Sequence, residues 1–319
     1  MKFSIITPCK DSAATINRAI ESVRNQENCL FDYEIILIPA NPNSDNTYQA
    51  ISDKENVVVI KSEVPIPLSS SRNFGIEAAK GDVVCFLDSD DFFAPNAFSK
   101  VFQVLNEHLD VSLVVGEVRS NSLDGPLFSP NYRDDHFLQS NRERDCFISR
   151  RDGLIVQLSG YFFRSNVLKQ STIRFKRDLA NGEDTLFLVE ALCFAPLIYV
   201  CNTTFAVYTE NPDGDHHKYT LERNLSYPKS CLMLELELFK QLKMVNSARA
   251  CKDVLIEFLS YGALYSKEDR KALAKWYRAN HTLTITRGTR HWFRRLLFLL
   301  FGYRFVWFLL HRYRELRKR

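Results

Sequence analysis

Long uncharged apolar runs, paired cysteines and a strong excess of one charge are all missing from this chain of 319 residues. With 45% hydrophobic and 25% charged residues, its composition is that of an ordinary globular protein. This composition excludes disordered, collagen-like and low-complexity classes, and the length allows one large domain or a domain with an appendage. A formal net charge of +4 is too small to indicate a nucleic-acid-binding protein.

The eight cysteines are scattered, with no CxxC pair and no zinc-ligand spacing. Cys85 lies inside the apolar run VVCFLD, where a thiol is typical of a small buried hydrophobic side chain. The opening MKFSIITP turns polar after a short apolar run and contains no small-residue cleavage site, so we expect no signal peptide. Together these features predict a protein of the reducing cytosol.

Apolar runs typical of buried strands alternate with helical patterns over the first 120 residues. The predicted strands are FSIIT (3–7), YEIILIP (33–39), NVVVI (56–60), DVVCFLD (82–88) and VSLVVGEV (111–118). Such alternation predicts an α/β fold with a mainly parallel sheet and helices on both faces. In that architecture, ligands bind beyond the carboxyl ends of the strands.

Capping residues predict where the intervening helices begin and end. The first helix is expected to bury Ile16, Ile20 and Val23 on one face. This helix is predicted to begin at Asp11 or Ser12, and the second helix at Ser44. The third helix is predicted to end at Gly81, and the fourth to begin at Pro95.

Beyond residue 120 the pattern is less regular. Residues 120–150 are polar and predict a surface excursion, and an apolar helical segment is expected from Gly160 onward, leading into NGEDTLFLVEAL (181–192). Two short strands are predicted at LIYVC and TTFAVY. After Pro212 the chain is expected to be helical.

The segment LDSDD (87–91) places three carboxylates, Asp88, Asp90 and Asp91, directly after the fourth predicted strand. In an extended strand end, Asp88 and Asp90 point to the same side, so both can face one cation or a diphosphate–cation pair. Carboxylates this close repel one another unless Mg²⁺, Mn²⁺ or hydrogen bonds offset their charge. The alternative is an acidic turn in which Asp90 or Asp91 caps the next helix.

Four segments in this order resemble family 2 of the inverting glycosyltransferases, which have the Rossmann-like GT-A fold. They are SIITPCKDSAATINRAIESVRNQ, YEIILI, SSSRNFGIEAAKGDVVCFLDSDD and NGED, over about residues 2–210. The resemblance implies a hexosyltransferase-type enzyme that transfers a sugar from a nucleotide-diphosphate donor, a UDP-sugar by default, to an acceptor hydroxyl. It also implies a divalent cation, Mn²⁺ or Mg²⁺, on the diphosphate and a glycan or lipid-linked saccharide as acceptor.

The resemblance further implies roles for individual residues. The expected nucleotide-binding residues are Thr7, Pro8, Lys10, Asp45, Arg72, Asn73 and Asp88. The expected metal ligands are Asp88 and Asp90. His216 of the later segment NPDGDHHKY is a further candidate ligand, and the alternative for that segment is a plain solvated loop. Glu183 and Asp184 match the family's ED pair, with Asp184 as the general base.

Elementary chemistry agrees with these roles. Inversion is a single in-line displacement, so one carboxylate takes the acceptor proton on the side opposite the leaving diphosphate. The leaving group needs a Lewis acid to neutralise its developing charge. The alternative for Asp184 is a plain helix N-cap, and the alternative for GYFFR (160–164), otherwise expected on the acceptor side, is core packing.

Two departures from the family pattern concern the nucleotide. The family usually carries Tyr-Asn after the first proline, where this chain has Lys10 and Asp11. The family's DDGS, whose Asp binds the base, is matched here by PANPNSD (39–45), in which Asn41 and Asp45 are candidate replacements. The identity of the nucleotide therefore stays open.

Charge is distributed unevenly along the chain, which is expected to comprise a catalytic domain (1–210), a helical C-terminal extension (211–286) and a basic tail (287–319). The tail carries ten Arg or Lys against the single acidic residue Glu315, a net +9 that leaves −5 for residues 1–286. Its longest uncharged run, Leu296–Tyr303, is too short to span a bilayer. Aromatic and arginine side chains interleave in the tail, as in a helix lying in a membrane surface, so we expect peripheral attachment to the inner membrane face.

Alternatives to these functions come from other classes. The tail could pack on its own domain or on a partner, with nucleic-acid binding a weaker alternative, so no nucleic acid is expected among the partners. A nucleotidyltransferase that makes a nucleotide-sugar usually opens with a Gly-rich basic loop, where this chain has TPCKDSAAT. A non-catalytic membrane-associated glycan- or nucleotide-binding relative would lack turnover altogether.

We predict that deleting residues 287–319 moves the protein from the membrane fraction to the soluble fraction, because the tail supplies the apolar and basic contacts with anionic lipid. Fractionation of cells that express the full and shortened chains measures this. An unchanged distribution would refute the membrane assignment.

Overall fold

The computed structural model describes most of the first 210 residues. The described residues are 1–27, 31–39, 45–51, 55–62, 64, 66–122, 127–128, 134–149, 157–179 and 181–210, with 226, 242–244 and 247 beyond them. The chain divides into two compact units. The first comprises Met1–Arg144, Val156–Arg177 and Phe187–Pro212, and the second comprises Asp145–Ile155, Asp178–Leu186 and Asp213–Arg319.

Strands and helices alternate through the first part of the chain. The strands are β1 (Lys2–Cys9), β2 (Asp32–Pro39), β3 (Val57–Val59), β4 (Val83–Phe86), β5 (Phe92–Phe93), β6 (Leu113–Ser120), β7 (Leu127–Phe128), β8 (His136–Leu138), β9 (Tyr161–Arg164) and β10 (Ile198–Tyr208). The helices are α1 (Ile16–Arg24), α2 (Thr47–Ile51), α3 (Leu68–Ala78), α4 (Ala97–Glu107), α5 (Asn141–Ile148), α6 (Ser165–Lys169) and α7 (Glu183–Phe194). The five strands predicted before residue 120 are thus confirmed.

One mixed sheet forms the core of the first unit, in the order β3-β2-β1-β4-β9-β6-β10-β5, with β7 on β6 and β8 on β10. β1 pairs in parallel with β2 and β4, and β6 pairs in parallel with β10. β9 lies antiparallel between β4 and β6. The carboxyl ends of β1, β4, β6 and β10 therefore meet at one edge of the sheet.

The buried face of α1 matches the predicted pattern, since Ile16, Ala19, Ile20 and Val23 are all buried. The core beneath it is rich in aromatic rings, and Phe98 lies 5.0 Å from Phe3 and 5.3 Å from Phe162 between ring centroids. Each fully buried ring stabilises the fold by about 1.5–3 kcal/mol relative to exposure.

The segment from Gly160 begins with the strand β9 and becomes helical only in α6, so the predicted helical segment is wrong at its start. A short apolar run has the same appearance in a buried strand and a buried helix, so periodicity could not separate them. Phe162 and Phe163 of β9 are fully buried, as the core-packing alternative requires. β10 is likewise one strand instead of two short ones, with register shifts against β6 after Val200 and after Thr204.

Several predicted helix boundaries are wrong. Thr15, and not Asp11 or Ser12, is the N-cap of α1, and it makes no side-chain capping bond within the described chain. α3 ends at Ala78 with an extended Ala79, so Gly81 does not terminate it. Gly81 instead passes close to β1, where an added Cβ would lie 2.7 Å from the carbonyl oxygen of Lys2.

Of the two other predicted boundary residues, only Pro95 lies among the described residues. α4 begins at Ala97, two residues after Pro95. Ser44 lies outside the described residues.

The predicted surface excursion over 120–150 contains β8 and α5. Arg144 of α5 donates hydrogen bonds to the carbonyl oxygens of Cys193 at 2.7 Å and Pro196 at 2.9 Å, where α7 ends. In the second unit, the Asp145 carboxylate accepts bonds from the N–H and the hydroxyl of Ser247, both at 2.7 Å. Charged residues in this stretch therefore make buried contacts that its polar composition hid.

The segments predicted as a helical extension and a basic tail lie outside the described residues, apart from the few positions beyond 210 given above. In the part of the chain that the structure describes, no helix is both long enough and apolar enough to cross a membrane.

A buried carboxylate fastens the end of α3 to the opposite edge of the sheet. Glu34 Oε1 accepts hydrogen bonds from Ser4 Oγ and from the N–H of Lys80, each at 2.6 Å, and Lys2 Nζ lies 3.3 Å from Oε2. Burial raises the pKa of Glu34, but the bonds from Ser4, Lys80 and Lys2 outweigh it, and the net shift is downward.

We predict that this carboxylate makes folding sensitive to acid. Because the folded-state pKa of Glu34 is lowered, its contribution is complete above the ordinary glutamate pKa of about 4.3 and is lost as the pH falls through the folded-state value. Glu34→Gln should cost about 1–2 kcal/mol at pH 7 and remove part of the fall in Tm at lower pH. Thermal unfolding from pH 7 to about pH 3 measures this.

Glu77→Gln, at an exposed position of α3, is the matched control. Equal acid dependence in both variants would contradict the prediction.

Candidate active site

Residues 88–91, here called the acidic loop, connect β4 to β5 at the carboxyl edge of the sheet. The Asp91 N–H donates to the Asp88 carbonyl oxygen at 3.1 Å and closes a turn. Asp88 and Asp90 are partly exposed, whereas Asp91 is only 2% exposed. Two of the three carboxylates thus face the edge, and the third belongs to the protein interior.

Arg72 of α3 orients the first of these carboxylates. Its Nη2 lies 3.0 Å from Asp88 Oδ1, and the arginine side chain is 2% exposed while that of Asp88 is 49% exposed. The guanidinium carbon also lies 5.3 Å from the centroid of the Phe175 ring. Since a guanidinium stays charged even when buried, it needs this carboxylate and holds it in place.

Asn73, the next residue of α3, binds the main chain of the same phenylalanine. Its Nδ2 donates to the Phe175 carbonyl oxygen at 2.9 Å, and its Oδ1 accepts from the Phe175 N–H at 3.0 Å. Both ends of the Asn73 amide therefore bind the main chain of Phe175 in the protein interior. The adjacent Arg72 instead pairs with Asp88 of the acidic loop.

The loop after β1 is joined to the acidic loop. Ser12 Oγ lies 2.8 Å from Ser89 Oγ and accepts from the N–H of Lys10 at 3.1 Å. Thr7 and Pro8, at the end of β1, are buried, and Thr7 Oγ1 has no hydrogen-bond partner among the described residues. The predicted nucleotide-binding residues of β1 therefore lie beside the predicted cation ligands.

Asp45 connects the loop after β1 with the start of α2. Its Oδ1 accepts bonds from the hydroxyl of Thr47 and from the Thr47 N–H at 2.9 Å, and its Oδ2 accepts from the Ala13 N–H at 2.8 Å. The hydrogen bond from the Thr47 hydroxyl is the main cause of its lowered pKa. Both carboxylate oxygens hold protein groups, and the other candidate, Asn41, lies outside the described residues.

Asp91 ties the acidic loop to the end of β10. Its Oδ1 accepts from the Thr209 N–H at 2.8 Å. Burial, and next the charge of Asp88, raise the pKa of Asp91 to about 8. The buried carboxylate of Asp91 therefore anchors the acidic loop to the end of β10.

The family motifs predict no role for Arg18, yet it contacts the acidic loop. Its Nη2 donates to the carbonyl oxygen of Asp90 and, at 2.8 Å, to Thr209 Oγ1. The signal in the sequence is a polar spacing of four, Arg18, Ser22 and Gln26, along the helix whose apolar face was predicted and just past its end. A polar stripe on a helix is usually solvated, so this spacing alone carries little weight.

Glu183 and Asp184 belong to the second unit and form the first turn of α7. Gly182, with φ of 83°, precedes them, and its carbonyl oxygen accepts from the Leu186 N–H at 3.1 Å. Asp184 is thus inside the helix and is not its N-cap. His216, the remaining predicted residue, lies outside the described residues.

The residues at the edge suit a hard divalent cation. Carboxylate oxygens such as those of Asp88 and Asp90 are the ligands that Mg²⁺ and Mn²⁺ prefer. Within the described ranges, no three His, Cys, Asp or Glu side chains converge to hold a metal by themselves.

Comparison with known proteins gives a family match and several relatives. The model of Glycosyl transferase family 2 matches residues 4–170. A poly(ribitol-phosphate) beta-glucosyltransferase of Bacillus spizizenii is 28% identical over 223 residues, 68% of this chain and 33% of its own length. A GalNAc(5)-diNAcBac-PP-undecaprenol beta-1,3-glucosyltransferase of Campylobacter jejuni is 29% identical over 198 residues, 59% of each chain. The chain thus spans about a third of the first relative's length.

Two solved structures are similar in fold. Residues 1–349 of S. aureus TarS, in complex with UDP-GlcNAc, superpose with a TM-score of 0.77 at 18% identity, covering 99% of this chain and 92% of that one. The mannosyltransferase PcManGT from Pyrobaculum calidifontis, in complex with GDP-Man and Mn²⁺, gives 0.53 at 13% identity, covering 96% and 86%. At these identities the likeness concerns the fold alone.

We predict that Asn73→Ala lowers the free energy of unfolding by about 2 kcal/mol, because it leaves the buried N–H and carbonyl of Phe175 without partners. Denaturant unfolding measures the loss. Asn96→Ala is the control, since Asn96 is exposed and makes no side-chain capping bond in the described chain. Equal stabilities of the two variants would contradict the anchoring role of Asn73.

Proposed function

Because the chain belongs to glycosyl transferase family 2 and has the GT-A fold, we propose that it transfers a hexose with inversion from a nucleotide-diphosphate donor to an acceptor hydroxyl. The observation that carries the proposal is the acidic loop at the carboxyl edge of the sheet, with Asp88 held by a buried arginine. Ligands of open α/β sheets bind at this edge.

The donor is proposed to be a UDP-sugar. The TarS structures in complex with UDP and with UDP-GlcNAc support this choice. Thr7, Pro8 and Lys10 would face the nucleotide from the loop after β1, with Arg72 and Asn73 behind them. Asp45 and Asn73 are the less suited of the proposed nucleotide-binding residues, because both oxygens of Asp45 and both ends of the Asn73 amide already hydrogen-bond protein groups.

Asp88 and Asp90 are proposed to hold Mn²⁺ or Mg²⁺, with His216 as a further candidate ligand. The Mn²⁺ in the PcManGT complex supports this assignment. A cation bound there would neutralise the charge that develops on the leaving diphosphate. For the chain's own part, Arg72 holds the Asp88 carboxylate in a fixed orientation, since the pair compensates a buried positive charge.

Asp184 is proposed as the general base, with Glu183 beside it. The base must be ionised before it accepts the proton of the acceptor hydroxyl. A position in the first turn of a helix favours the ionised carboxylate, because the helix dipole is positive at that end.

The acceptor is proposed to be a glycan or a lipid-linked saccharide of polysaccharide biosynthesis. The names of the relatives support both classes, since one acts on poly(ribitol-phosphate) and another on an undecaprenol-linked saccharide. A lipid-linked acceptor agrees with the proposal that residues 287–319 hold the protein on the inner membrane face.

We expect hydrolysis of a UDP-sugar by the full chain in Mn²⁺, with water as acceptor, and a loss of about 10²–10⁴ in turnover in Asp184→Asn. The affinity for UDP should change little, because the base does not bind the nucleotide. Release of UDP from UDP-GlcNAc and UDP-glucose, together with calorimetry of UDP binding with and without Mn²⁺, measures both.

Asp178→Asn, at an exposed position shortly before α7, is the matched control. Near-normal turnover in Asp184→Asn would reject the base. Equal UDP affinity with and without Mn²⁺ would reject the cation site.

A further inference from the structure

A row of polar side chains on α1 and just beyond its end, here called the polar ladder, binds the main chain of residues 90–98. It consists of Arg18, Ser22 and Gln26, spaced by four. Ser22 Oγ accepts from the Phe93 N–H at 3.1 Å. Gln26 donates to the Ala94 carbonyl oxygen at 2.9 Å. The apolar face of α1 is therefore buried, while the polar ladder on and after the helix holds residues 90–98.

Arg18 is the member of the polar ladder nearest the acidic loop. Although exposed, its side chain is held on three sides. It donates to the carbonyl oxygen of Asp90 and to Thr209 Oγ1, and its guanidinium carbon lies 4.9 Å from the centroid of the Phe92 ring. Such a planar group can serve two acceptors and a ring face at once, which an ammonium cannot.

Thr209 completes the attachment. Its hydroxyl accepts from Arg18, and its N–H donates to Asp91 at 2.8 Å. The acidic loop is thus tied to the end of β10 at two successive residues, through the carbonyl group of Asp90 and the carboxylate of Asp91.

We propose that Arg18, with Thr209, is a positioning residue that fixes the backbone of Asp90 so that its carboxylate is preset for the divalent cation of the donor complex. The inference rests on the proposed function, since it takes Asp90 as a cation ligand. Asp88 is oriented through its side chain by the buried Arg72, and Asp90 is oriented through its main chain by the exposed Arg18. Preorganised ligands bind more tightly because less ordering is left for the binding step.

Because Arg18 is positively charged, the sign of the change in Mn²⁺ affinity on its removal separates a positioning effect from a charge effect. A positive group beside the site repels a cation, so by Coulomb's law alone its removal would tighten Mn²⁺ binding. Loss of positioning would weaken Mn²⁺ binding instead. The two explanations predict opposite signs.

The experiment titrates Mn²⁺ into the full chain with saturating UDP. Arg18→Ala should raise the half-saturating Mn²⁺ concentration about threefold to tenfold, the loss of one to two hydrogen bonds. Arg18→Lys keeps the charge and should still show an increase, and Thr209→Val, which removes only the hydroxyl acceptor, should show a smaller one. At saturating Mn²⁺, turnover of the UDP-sugar should fall less than the Mn²⁺ affinity.

Arg24→Ala is the matched control on the same helix. Its guanidinium contacts Glu21 Oε1 and the carbonyl oxygen of Glu55, and among the described residues it makes no hydrogen bond to the acidic loop, so the half-saturating Mn²⁺ concentration should not change. Thermal unfolding of each variant shows whether it is folded. If Arg18→Ala does not fold, the comparison is made with Thr209→Val instead.

Two outcomes are distinguishable. An unmodified chain that binds UDP equally with and without Mn²⁺ overturns the proposed cation site and this inference with it. If the unmodified chain depends on Mn²⁺ but Arg18→Ala matches Arg24→Ala or binds Mn²⁺ more tightly, the inference alone is overturned.

Discussion

The buried guanidinium of Arg72 is the constraint on which the edge of the sheet depends. A charge that cannot be neutralised and is almost fully removed from water must have a carboxylate within reach, and Asp88 supplies it at 3.0 Å. Phe175 covers the same guanidinium and is held by Asn73, and its ring stacks 3.9 Å from that of Phe187 in α7. The first carboxylate of the acidic loop is therefore positioned by the core and not by the loop itself.

The loops at this edge are joined by small polar side chains. Ser12 forms a hydrogen bond with Ser89. Asp45 accepts hydrogen bonds from the start of α2 and from the loop after β1, and so links the two. The segment that departs from the family's DDGS pattern thus ends in a residue with a clear structural task. A carboxylate that already accepts hydrogen bonds from two loops has fewer lone pairs left for a nucleotide base. The departure from DDGS and the hydrogen bonds of Asp45 therefore both indicate that Asp45 is poorly suited to bind the base.

Much of the fold was predictable because its signals are local. The five strands, the buried face of α1 and the acidic loop after β4 are set by runs and periods within a few residues. β9 was mistaken for part of a helical segment because its apolar run, Tyr161–Phe163, is too short to show a period, and its pairing partners lie far away in sequence. The stretch over 120–150 was mistaken for a surface excursion because the partners of Arg144 are carbonyl groups about fifty residues further along the chain.

The sequence by itself determined the alternation of strands and helices, the three carboxylates after a buried strand and the family motifs in their order. Only the tertiary structure decided how those carboxylates differ: Asp88 pairs with Arg72, Asp90 is tied through its carbonyl group to Arg18, and Asp91 is buried against Thr209. The physical reason is that hydrogen bonds and ion pairs act between neighbours in space. Residues such as 18 and 209 become neighbours only when the sheet forms, and no local pattern records it.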